Sequence, residues 1–435
     1  MPTKKLLIIG YVWPEPNSSA AGTRMMQLIS LFQAETWQIT FASPSRLGEH
    51  RVDLSALDIT EQSIELNNSS FDAFVAELQP DLVIFDRFMM EEQFGWRIEK
   101  QVPNATRVLN TEDLHSLRSV RQQMVKDYLK QPVDQTDLEQ IPLHDPTLLF
   151  NEMSKSDLAK REIAAIFRCD LTLMISEFEM ALLQQQFQVP AQQLCYLPFC
   201  YPAELAEKAN LAFEQRQHFV TIGNFRHEPN WDAVLWLKQE IWPLIRQKLP
   251  NAELHIYGSY PPKKATQLHN DKQGFKVLGW AEDAFEVIGR AKVCLAPLRF
   301  GAGIKGKLAE AMICGTPSIT TSIGVESMQN LDATHDDHQT WPGTIANSSQ
   351  DFAQAAIKLY QNEEAWLKAQ AVGFNTVKTR YIQPKQRQQD FLGQLHTITQ
   401  CLPEHRQSNF IGAMLNHHHH KSTQYMAQWI EAKNR

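Results

Sequence analysis

Short apolar runs alternate with helix-like segments along the first 200 residues. The apolar runs predict strands at Lys5–Gly10, Gln38–Ala42, Ser63–Leu66, Asp81–Phe85, Arg107–Asn110, Leu171–Ile175 and Leu194–Leu197. Apolar residues at helical spacing predict helices at Thr23–Phe32, Phe71–Leu78 and Asp157–Arg168. Alternating strands and helices are typical of a parallel sheet that is covered on both faces. The segment Arg118–Thr147 departs from this alternation and predicts an insertion, part helix and part loop.

The alternation begins again after a proline-containing break at Pro198–Pro202. The second half predicts strands at His218–Gly223, Ala252–Gly258, Phe275–Leu278, Lys292–Leu298 and Pro317–Thr321. It predicts helices at Trp231–Lys248, Glu282–Gly289, Ile304–Cys314, Gln350–Gln361, Glu364–Thr379 and Lys385–Thr399. Two such units predict an α/β protein with two Rossmann-like domains that face a central cleft. We place the N-terminal domain at 1–202, the C-terminal domain at 203–380 and a helical tail at 381–435.

The composition is that of a globular protein: 435 residues, 43% hydrophobic and 21% charged, with a net charge of −7. Residues 1–200 carry 17 basic and 27 acidic side chains, whereas 201–435 carry 25 and 22. The acidic total argues against a nucleic-acid partner, and an anionic ligand would prefer the second half. Six cysteines without a CxxC pair predict reduced core thiols. No apolar run reaches the ~18 residues of a membrane-spanning helix, so we expect a cytoplasmic protein.

The most informative segment, RFGAGIKGKLAEAMICGTP, follows a predicted strand. Gly301 and Gly303 permit a tight turn, after which a helix begins and offers free amides to an anion. Lys305 and Lys307 add positive charge beside those amides, and Glu310 is placed to accept hydrogen bonds from a ribose diol. The spacing is not that of a GxxxxGK[ST] phosphate loop. The residues alone leave two interpretations open, a nucleotide site or a glycine-rich turn with surface lysines.

This segment and several others resemble GT-B glycosyltransferases of the large retaining group called family 4. "KLAEAMICGTPSITT" and "GVESM" are similar to the nucleotide-sugar site of that family. "FVTIGNFRHEPNWDAVLWL", "AELHIYG" and "KVLGW" are similar to the first strands of its donor domain, and "EIAAIFRCDLTLMISEFEMALL" to the end of its acceptor domain. The resemblance covers roughly residues 3–390 and is stronger in the second half. It implies the GT-B fold and a nucleotide-sugar-dependent transferase.

The resemblance also implies which residues bind the donor. Glu310 would bind the ribose, while Arg226 and Lys305 would neutralise the diphosphate as it leaves. Many family members have a glutamate eight residues before the one that matches Glu310, whereas this sequence has Ala302. The complete set of donor residues implied is Gly22, Arg226, the amides of Gly303 and Ile304, Lys305, Lys307 and Glu310.

A second group of candidates follows the strand Arg107–Asn110. By resemblance, Asp113 and His115 would position the acceptor hydroxyl or the donor sugar, with Lys305 as the third catalytic candidate. Glu112 stands where relatives often have a histidine. The residues alone are equally consistent with an aspartate helix cap and a partly buried histidine.

A basic patch follows these candidates. It consists of Arg118, Arg121, Lys126 and Lys130, opposed only by Asp127. Such a patch would suit an anionic lipid-linked acceptor or a membrane surface, although the whole half is acidic.

The resemblance implies a retaining, metal-independent glycosyltransferase of the hexosyltransferase type, with the nucleotide-sugar as co-substrate and no cofactor. The acceptor would be a glycan or a lipid-linked sugar in bacterial envelope polysaccharide or O-antigen assembly. The enzyme would be cytoplasmic, with a peripheral contact to the inner face of the membrane. Asp336-Asp337 is interpreted as a solvated loop, so no metal site is predicted. Two alternatives stay open: a nucleotide-sugar epimerase on the same fold, and a non-catalytic nucleotide-sugar-binding protein.

The tail contains four consecutive histidines, His417–His420, for which we expect a solvated surface. Beyond them, an apolar stripe at helical spacing predicts a helix that docks on the body through that stripe. The stripe consists of Tyr425, Met426, Trp429 and Ile430.

Overall fold

The computed structural model describes residues 4–131, 136–205, 211–329, 341–382 and 385–434. Its first sheet has seven strands: β1 Lys5–Ile9, β2 Gln38–Ser43, β3 Thr60–Ser63, β4 Leu82–Asp86, β5 Thr106–Asn110, β6 Leu171–Met174 and β7 Leu194–Tyr196. They lie in the order β3-β2-β1-β4-β5-β6-β7, and every neighbouring pair is parallel. In β1, Leu6 and Ile8 pack on one face of the sheet and Leu7 and Ile9 on the other. Burial on both faces explains why this strand is apolar throughout.

The second sheet has six strands: β8 Gln217–Ile222, β9 Leu254–Tyr257, β10 Phe275–Gly279, β11 Ala291–Ala296, β12 Ser318–Thr320 and β13 Gly343–Ile345. They lie in the order β10-β9-β8-β11-β12-β13, again all parallel. The two sheets confirm the predicted α/β class with two Rossmann-like domains. The domain boundaries themselves stay a prediction.

Helices connect the strands and cover the sheets. In chain order they are α1 Ala20–Ala34, α2 Ser70–Leu78, α3 Phe88–Gln101, α4 His115–Leu129, α5 Pro146–Lys155, α6 Asp157–Arg168, α7 Glu177–Gln185, α8 Glu228–Trp236, α9 Trp242–Lys248, α10 Lys263–Thr266, α11 Ala284–Arg290, α12 Gly306–Ile313, α13 Ser322–Val325, α14 Ser349–Gln361, α15 Glu363–Arg380, α16 Lys385–Gln400, α17 Leu402–Ser408 and α18 Phe410–Asn434. Side-chain caps begin several of them; for example, Ser176 accepts a hydrogen bond from the amide of Glu179.

The structure departs from the sequence-based expectations at several places in the N-terminal half. The strand expected at Ser63–Leu66 lies earlier, as β3, because Thr60–Ser63 pairs with β2 while Leu66 is exposed. Helix α3 was not predicted, because it buries charged residues such as Glu91, which forms an ion pair with Arg168. The expected insertion begins inside the regular helix α4 and becomes irregular only after that helix ends.

In the C-terminal half, the helix expected at Trp231–Lys248 is interrupted. A π-helical turn at Leu237–Ile241 separates α8 from α9, and the amide of Trp242 donates to the carbonyl of Leu237. Pro243 follows directly and has no N–H to donate, so the wider turn accommodates it. Strand β13 was not predicted, because its three residues are too few to show a pattern.

After α15 the chain returns to the N-terminal domain. Phe391 and Leu395 of α16 are buried in the core cluster that contains one face of β1. The guanidinium of Arg406 in α17 donates to both carboxylate oxygens of Asp170, at 2.8 Å each. The C-terminal helices therefore complete the first domain.

Helix α18 docks on the N-terminal domain, but through a different face from the one expected. Ala427 is buried, and Gly412 lies against the end of α6. In contrast, Tyr425 and Trp429 are 66% and 63% exposed, so the predicted docking of the apolar stripe is wrong. The side chains of His418–His420 lie outside the described residues. Across the described ranges, no helix has the length and apolar character that crossing a membrane requires.

All six cysteines are free thiols. Four of them, Cys169, Cys195, Cys294 and Cys314, are buried, as predicted for core thiols. Cys401 is exposed and therefore departs from that prediction.

Candidate functional site

The turn between β11 and α12 leaves the carboxyl edge of the second sheet and touches the first domain. Gly303 has a φ of +63°, and a Cβ at this position would lie 3.0 Å from the Cβ of Asp113. Glycine is therefore required by the backbone conformation and by the close approach. The carbonyl of Gly301 accepts a hydrogen bond of 2.9 Å from the guanidinium of Arg121 in α4. The glycine-rich turn thus joins the two domains across the cleft.

The Gly303 amide, expected to contact a diphosphate, donates instead to a carboxylate. Its acceptor is Oε1 of Glu179, at 2.5 Å, and the other carboxylate oxygen accepts from the amide of Leu114 at 3.3 Å. Glu179 is completely buried, and burial together with the charge of Asp113 raises its pKa to about 8. Ile304 is buried in an apolar cluster. A phosphate reaches the Gly303 amide only if Glu179 moves away.

Lys305 is enclosed at the domain interface. Its Nζ donates to the carbonyl of Gly303 at 2.5 Å, and the residue is only 8% exposed. Burial lowers the pKa of Lys305 to about 8, while the carboxylates of Glu326 and Glu179 oppose this by favouring the charged form. The lysine is therefore a buried cation among acidic neighbours rather than a surface charge.

Lys307 and Glu310 lie three residues apart on α12, and Lys307 faces α8. Nζ of Lys307 donates to Oδ1 of Asn230 at 2.7 Å. Burial lowers the pKa of Lys307 to about 8, and burial raises the pKa of Glu310 to about 7. Each charge opposes the shift of the other. This pair presents a cation and a half-buried carboxyl group next to an amide side chain.

Asp113, His115 and Arg118 form a charged group at the start of α4. The carboxylate of Asp113 binds the guanidinium of Arg118, and its other oxygen lies 3.4 Å from Nε2 of His115. Burial alone would raise the pKa of Asp113, but Arg118, together with His115 and His227, holds that pKa well below its usual range. Burial lowers the pKa of His115 to about 4, although Asp113 opposes the shift. Near pH 7 the site therefore pairs an ionised aspartate with a neutral imidazole.

A second carboxyl pair, Glu112 and Asp86, lies beside this group and was not recognised as a pair from the sequence. Nδ2 of Asn110 lies 2.7 Å from Oε1 of Glu112 and 3.4 Å from Oδ1 of Asp86. Glu112 has a φ of +63° and is buried. Burial, followed by the charge of Asp86, raises the pKa of Glu112 to about 8. The pair is sequence-distant, so only the meeting of β4 and β5 brings it together.

Arg121 and Glu326 form a buried ion pair between the domains. The guanidinium donates to both carboxylate oxygens, at 2.8 and 2.6 Å, and Nδ1 of His144 lies 2.9 Å from one of them. Burial alone would raise the pKa of Glu326, but Arg121 and His144 hold it down to about 2. Arg121 was expected in an exposed basic patch, and that prediction is wrong. Glu326 was missed as an interface residue, although it lies in the "GVESM" segment directly after the buried Val325.

Two further candidates for donor binding are Gly22, which is buried, and Arg226, which is exposed. The amide of Gly22 donates to Oγ of Ser19, and a Cβ on Gly22 would lie 2.4 Å from the backbone of Glu15. Gly22 therefore allows the loop after β1 to pack on α1. Arg226 is exposed, and its guanidinium lies 3.6 Å from the ring centroid of Tyr260.

A cavity of about 370 Å³ opens between the domains. It brings two predicted residues, His115 and Arg226, together with Arg118. Lys305 and Glu310 are not among its lining residues. The cavity is lined by Phe88, Met89, His115, Arg118, Ser119, Gln122, Leu158 and Arg161 of the first domain, and by Arg226, His227, Glu228 and Phe300 of the second.

Within the described part of the chain, no three His, Cys, Asp or Glu side chains are grouped so that they could hold a metal ion. The acidic pair Asp336-Asp337 lies outside that part. Metal independence therefore stays a prediction.

The C-terminal domain matches a known protein family. Residues 216–362, which include β8 to β13 and α12, match the model of the family described as Glycosyl transferases group 1. No curated protein sequence matches the chain.

Solved structures resemble nearly the whole chain. Anabaena HepE, in complex with UDP and glucose, is 12% identical with a TM-score of 0.59, and the match covers 90% of this chain and 99% of that one. A glycosyltransferase from Rickettsia africae is 13% identical, with a TM-score of 0.59 and coverage of 90% and 98%. WaaG, a glycosyltransferase involved in lipopolysaccharide biosynthesis, is 13% identical, with a TM-score of 0.58 and coverage of 88% and 98%. At such low identity the likeness shows the fold, which is the expected GT-B arrangement.

Proposed function

We propose that the protein is a glycosyltransferase that moves a sugar from a nucleotide-sugar to an acceptor hydroxyl. The proposal rests on the position and the side chains of helix α12. This helix lies within the segment that matches the glycosyltransferase family, and it places Lys307 and Glu310 side by side next to the carboxyl edge of the second sheet. Open parallel sheets bind nucleotides at that edge.

In this proposal the donor lies against the second domain. Glu310 accepts hydrogen bonds from the ribose hydroxyls, and Lys307 with Arg226 neutralises the diphosphate. Lys305 supports the charge that develops on the leaving group, and the Gly303 amide contributes once Glu179 releases it. UDP is the first nucleotide to test, because HepE was solved with UDP.

The acceptor enters from the first domain. Asp113 and His115 position its hydroxyl at the cavity, which lies between the two domains. We propose transfer with retention of anomeric configuration, without a metal ion or a cofactor. Bacterial envelope polysaccharide assembly in the cytoplasm is the proposed setting, with a glycan or lipid-linked acceptor; the relation to WaaG supports it.

The test is calorimetric titration of the full chain with UDP, GDP, ADP and CMP. Glu310→Ala is expected to weaken binding of the preferred nucleotide by about 1.5–3 kcal/mol, because hydrogen bonds to an ionised group are lost. Glu364→Ala, which changes an exposed glutamate on α15, serves as the control. Unchanged affinity in Glu310→Ala would remove the ribose assignment, and no binding of any nucleotide would refute the proposed function.

A further inference from the structure

The interdomain cavity has a distinctly positive lining. Three arginines, Arg118, Arg161 and Arg226, line it, and Glu228 is the one acidic residue among the lining residues. That glutamate is already hydrogen-bonded to Nε2 of Gln122, also in the lining. The first domain is acidic overall, so this concentration of positive charge is local to the cavity.

The acidic partners of Arg118 and Arg161, which are Asp113 and Glu92, are not among the lining residues. Arg161 binds the carboxylate of Glu92 at 2.9 and 2.6 Å, yet its side chain remains 51% exposed. Glu92 is buried and is not among the lining residues. Arg161 is thus held in place from behind while part of its guanidinium stays accessible from the cavity. A guanidinium anchored in this way is suited to a second anion, because its planar fork is already oriented.

Apolar surface lies next to this charge. Phe88 lines the cavity from the first domain and Phe300 from the second, and Leu158 lies near Arg161 on α6. The ring of Phe88 contacts His115 edge-to-face, with centroids 5.7 Å apart. Sugar-sized ligand sites combine such apolar walls with a few fixed polar groups.

We propose that the cavity selects an acceptor sugar that carries an anionic group, a phosphate or a carboxylate. The inference rests on the proposed function and names its acceptor class. The anion binds Arg161 and Arg118, while the sugar ring lies between Phe88 and Phe300, with the acceptor hydroxyl toward His115. The site adjoins the donor site at Arg226, which lines the cavity, and it differs from the donor site in that Lys307 and Glu310 are not among the lining residues.

The experiment is calorimetric titration of the full chain with glucose 6-phosphate, glucuronate and glucose, each with and without saturating UDP. The acidic sugars are expected to bind at least about tenfold more tightly than glucose, which corresponds to one charge-assisted hydrogen bond. Their binding should persist in the presence of UDP. The relative affinity of the two acidic sugars distinguishes a phosphate from a carboxylate.

Two substitutions of Ser119, an exposed residue of the cavity lining, separate the effect of negative charge in the cavity from the effect of side-chain size. Ser119→Glu and Ser119→Gln have nearly equal size and leave every ion pair intact, so S119E should bind glucose 6-phosphate about tenfold more weakly than S119Q. Arg161→Gln should weaken it as well, whereas Lys160→Gln, outside the lining on the same helix, should not.

Three results would overturn the inference: equal affinity for glucose and glucose 6-phosphate, equal binding by S119E and S119Q, or displacement of the sugar phosphate by UDP. Failure of the proposed function has a different signature. In that case the nucleotide titrations described above show no binding, whatever the sugars do.

Discussion

Glu112 combines two energetically unfavourable conditions in one residue. Its backbone adopts a left-handed conformation, which costs a residue with a Cβ about 1–3 kcal/mol. Its carboxyl group is also buried beside Asp86, which keeps it protonated near neutral pH. Residues held in this way cluster at functional sites, and Glu112 directly precedes the candidate Asp113.

The first prediction follows from this pKa. The folded state keeps a proton on Glu112 up to about pH 8, whereas the unfolded chain loses it near pH ~4.3, so the free energy of unfolding falls as pH rises between these values. Glu112→Gln removes this titration and retains an acceptor for Asn110. We expect the variant to be more stable than the parent at pH 8.5, by on the order of 1–3 kcal/mol, with little difference at pH 5. Urea unfolding across this range measures it, with Glu35→Gln as the exposed control; parallel profiles would contradict the prediction.

At the scale of elements, helix α4 bridges the two domains. Arg121 reaches Glu326 and the Gly301 carbonyl, while its Nε donates to the carbonyl of Leu143 at 2.9 Å. The same helix supplies Arg118 to the cavity. Its first turn is fixed by Glu162, which accepts the amides of its first two residues at 2.8 and 3.0 Å.

The second prediction concerns this bridge. Arg121→Met leaves the buried carboxylate of Glu326 unpaired, and breaking a buried pair in this way costs about 3–5 kcal/mol. The double variant Arg121→Met with Glu326→Leu should recover much of that loss, since neither member of the pair is left buried without its partner. Lys126→Met, at an exposed position of α4, should change stability by less than about 0.5 kcal/mol. Denaturant unfolding measures all three, and equal losses in the single and double variants would refute the argument.

On the scale of the whole molecule, the two domains are closed on each other. Nε1 of Trp280 donates to the carbonyl of Asn17 at 3.2 Å, and the indole stacks on His50 with ring centroids 4.2 Å apart. Near the centre, a Cβ on Gly306 would lie 2.7 Å from the Cβ of Ala20. The two domains are therefore in direct contact at more than one place.

The third prediction uses that contact. Gly306→Ala places a methyl group against Ala20, and overpacking of this kind costs about 1–3 kcal/mol unless the domains separate. For the Gly306→Ala variant we expect a larger radius of gyration by small-angle scattering and a lower rate of sugar transfer. The double variant Gly306→Ala with Ala20→Gly should restore both. Gly289→Ala is the matched control, because the nearest atom would lie 4.0 Å away; equal scattering from all variants would disprove the contact's role.

The periodicity of the chain was sufficient to predict most strands of both sheets, because parallel strands buried on two faces are apolar throughout. Local spacing also placed Lys307 and Glu310 on one helix, whereas Lys305, expected in the same helix, is the extended residue directly before it. It could not identify Glu179, which meets Gly303 only through the packing of two domains. Helix α3 was not predicted, and Arg121 of α4 was expected at the surface. Both errors have one cause, because in a sequence the charged residues of buried ion pairs resemble those of a solvated surface.

The return of the chain to the first domain affects how the protein folds during synthesis. The ring of Phe391 packs edge-on against Phe32 of α1, with centroids 6.0 Å apart, and lies in the same core cluster as β1. While the ribosome is still translating α16, the apolar surface of α1 that Phe391 contacts in the folded protein is exposed to solvent. All six strands of the second sheet have left the ribosome before that helix. We therefore expect the domain made second to finish folding first, with the first domain completed only when the last helices emerge.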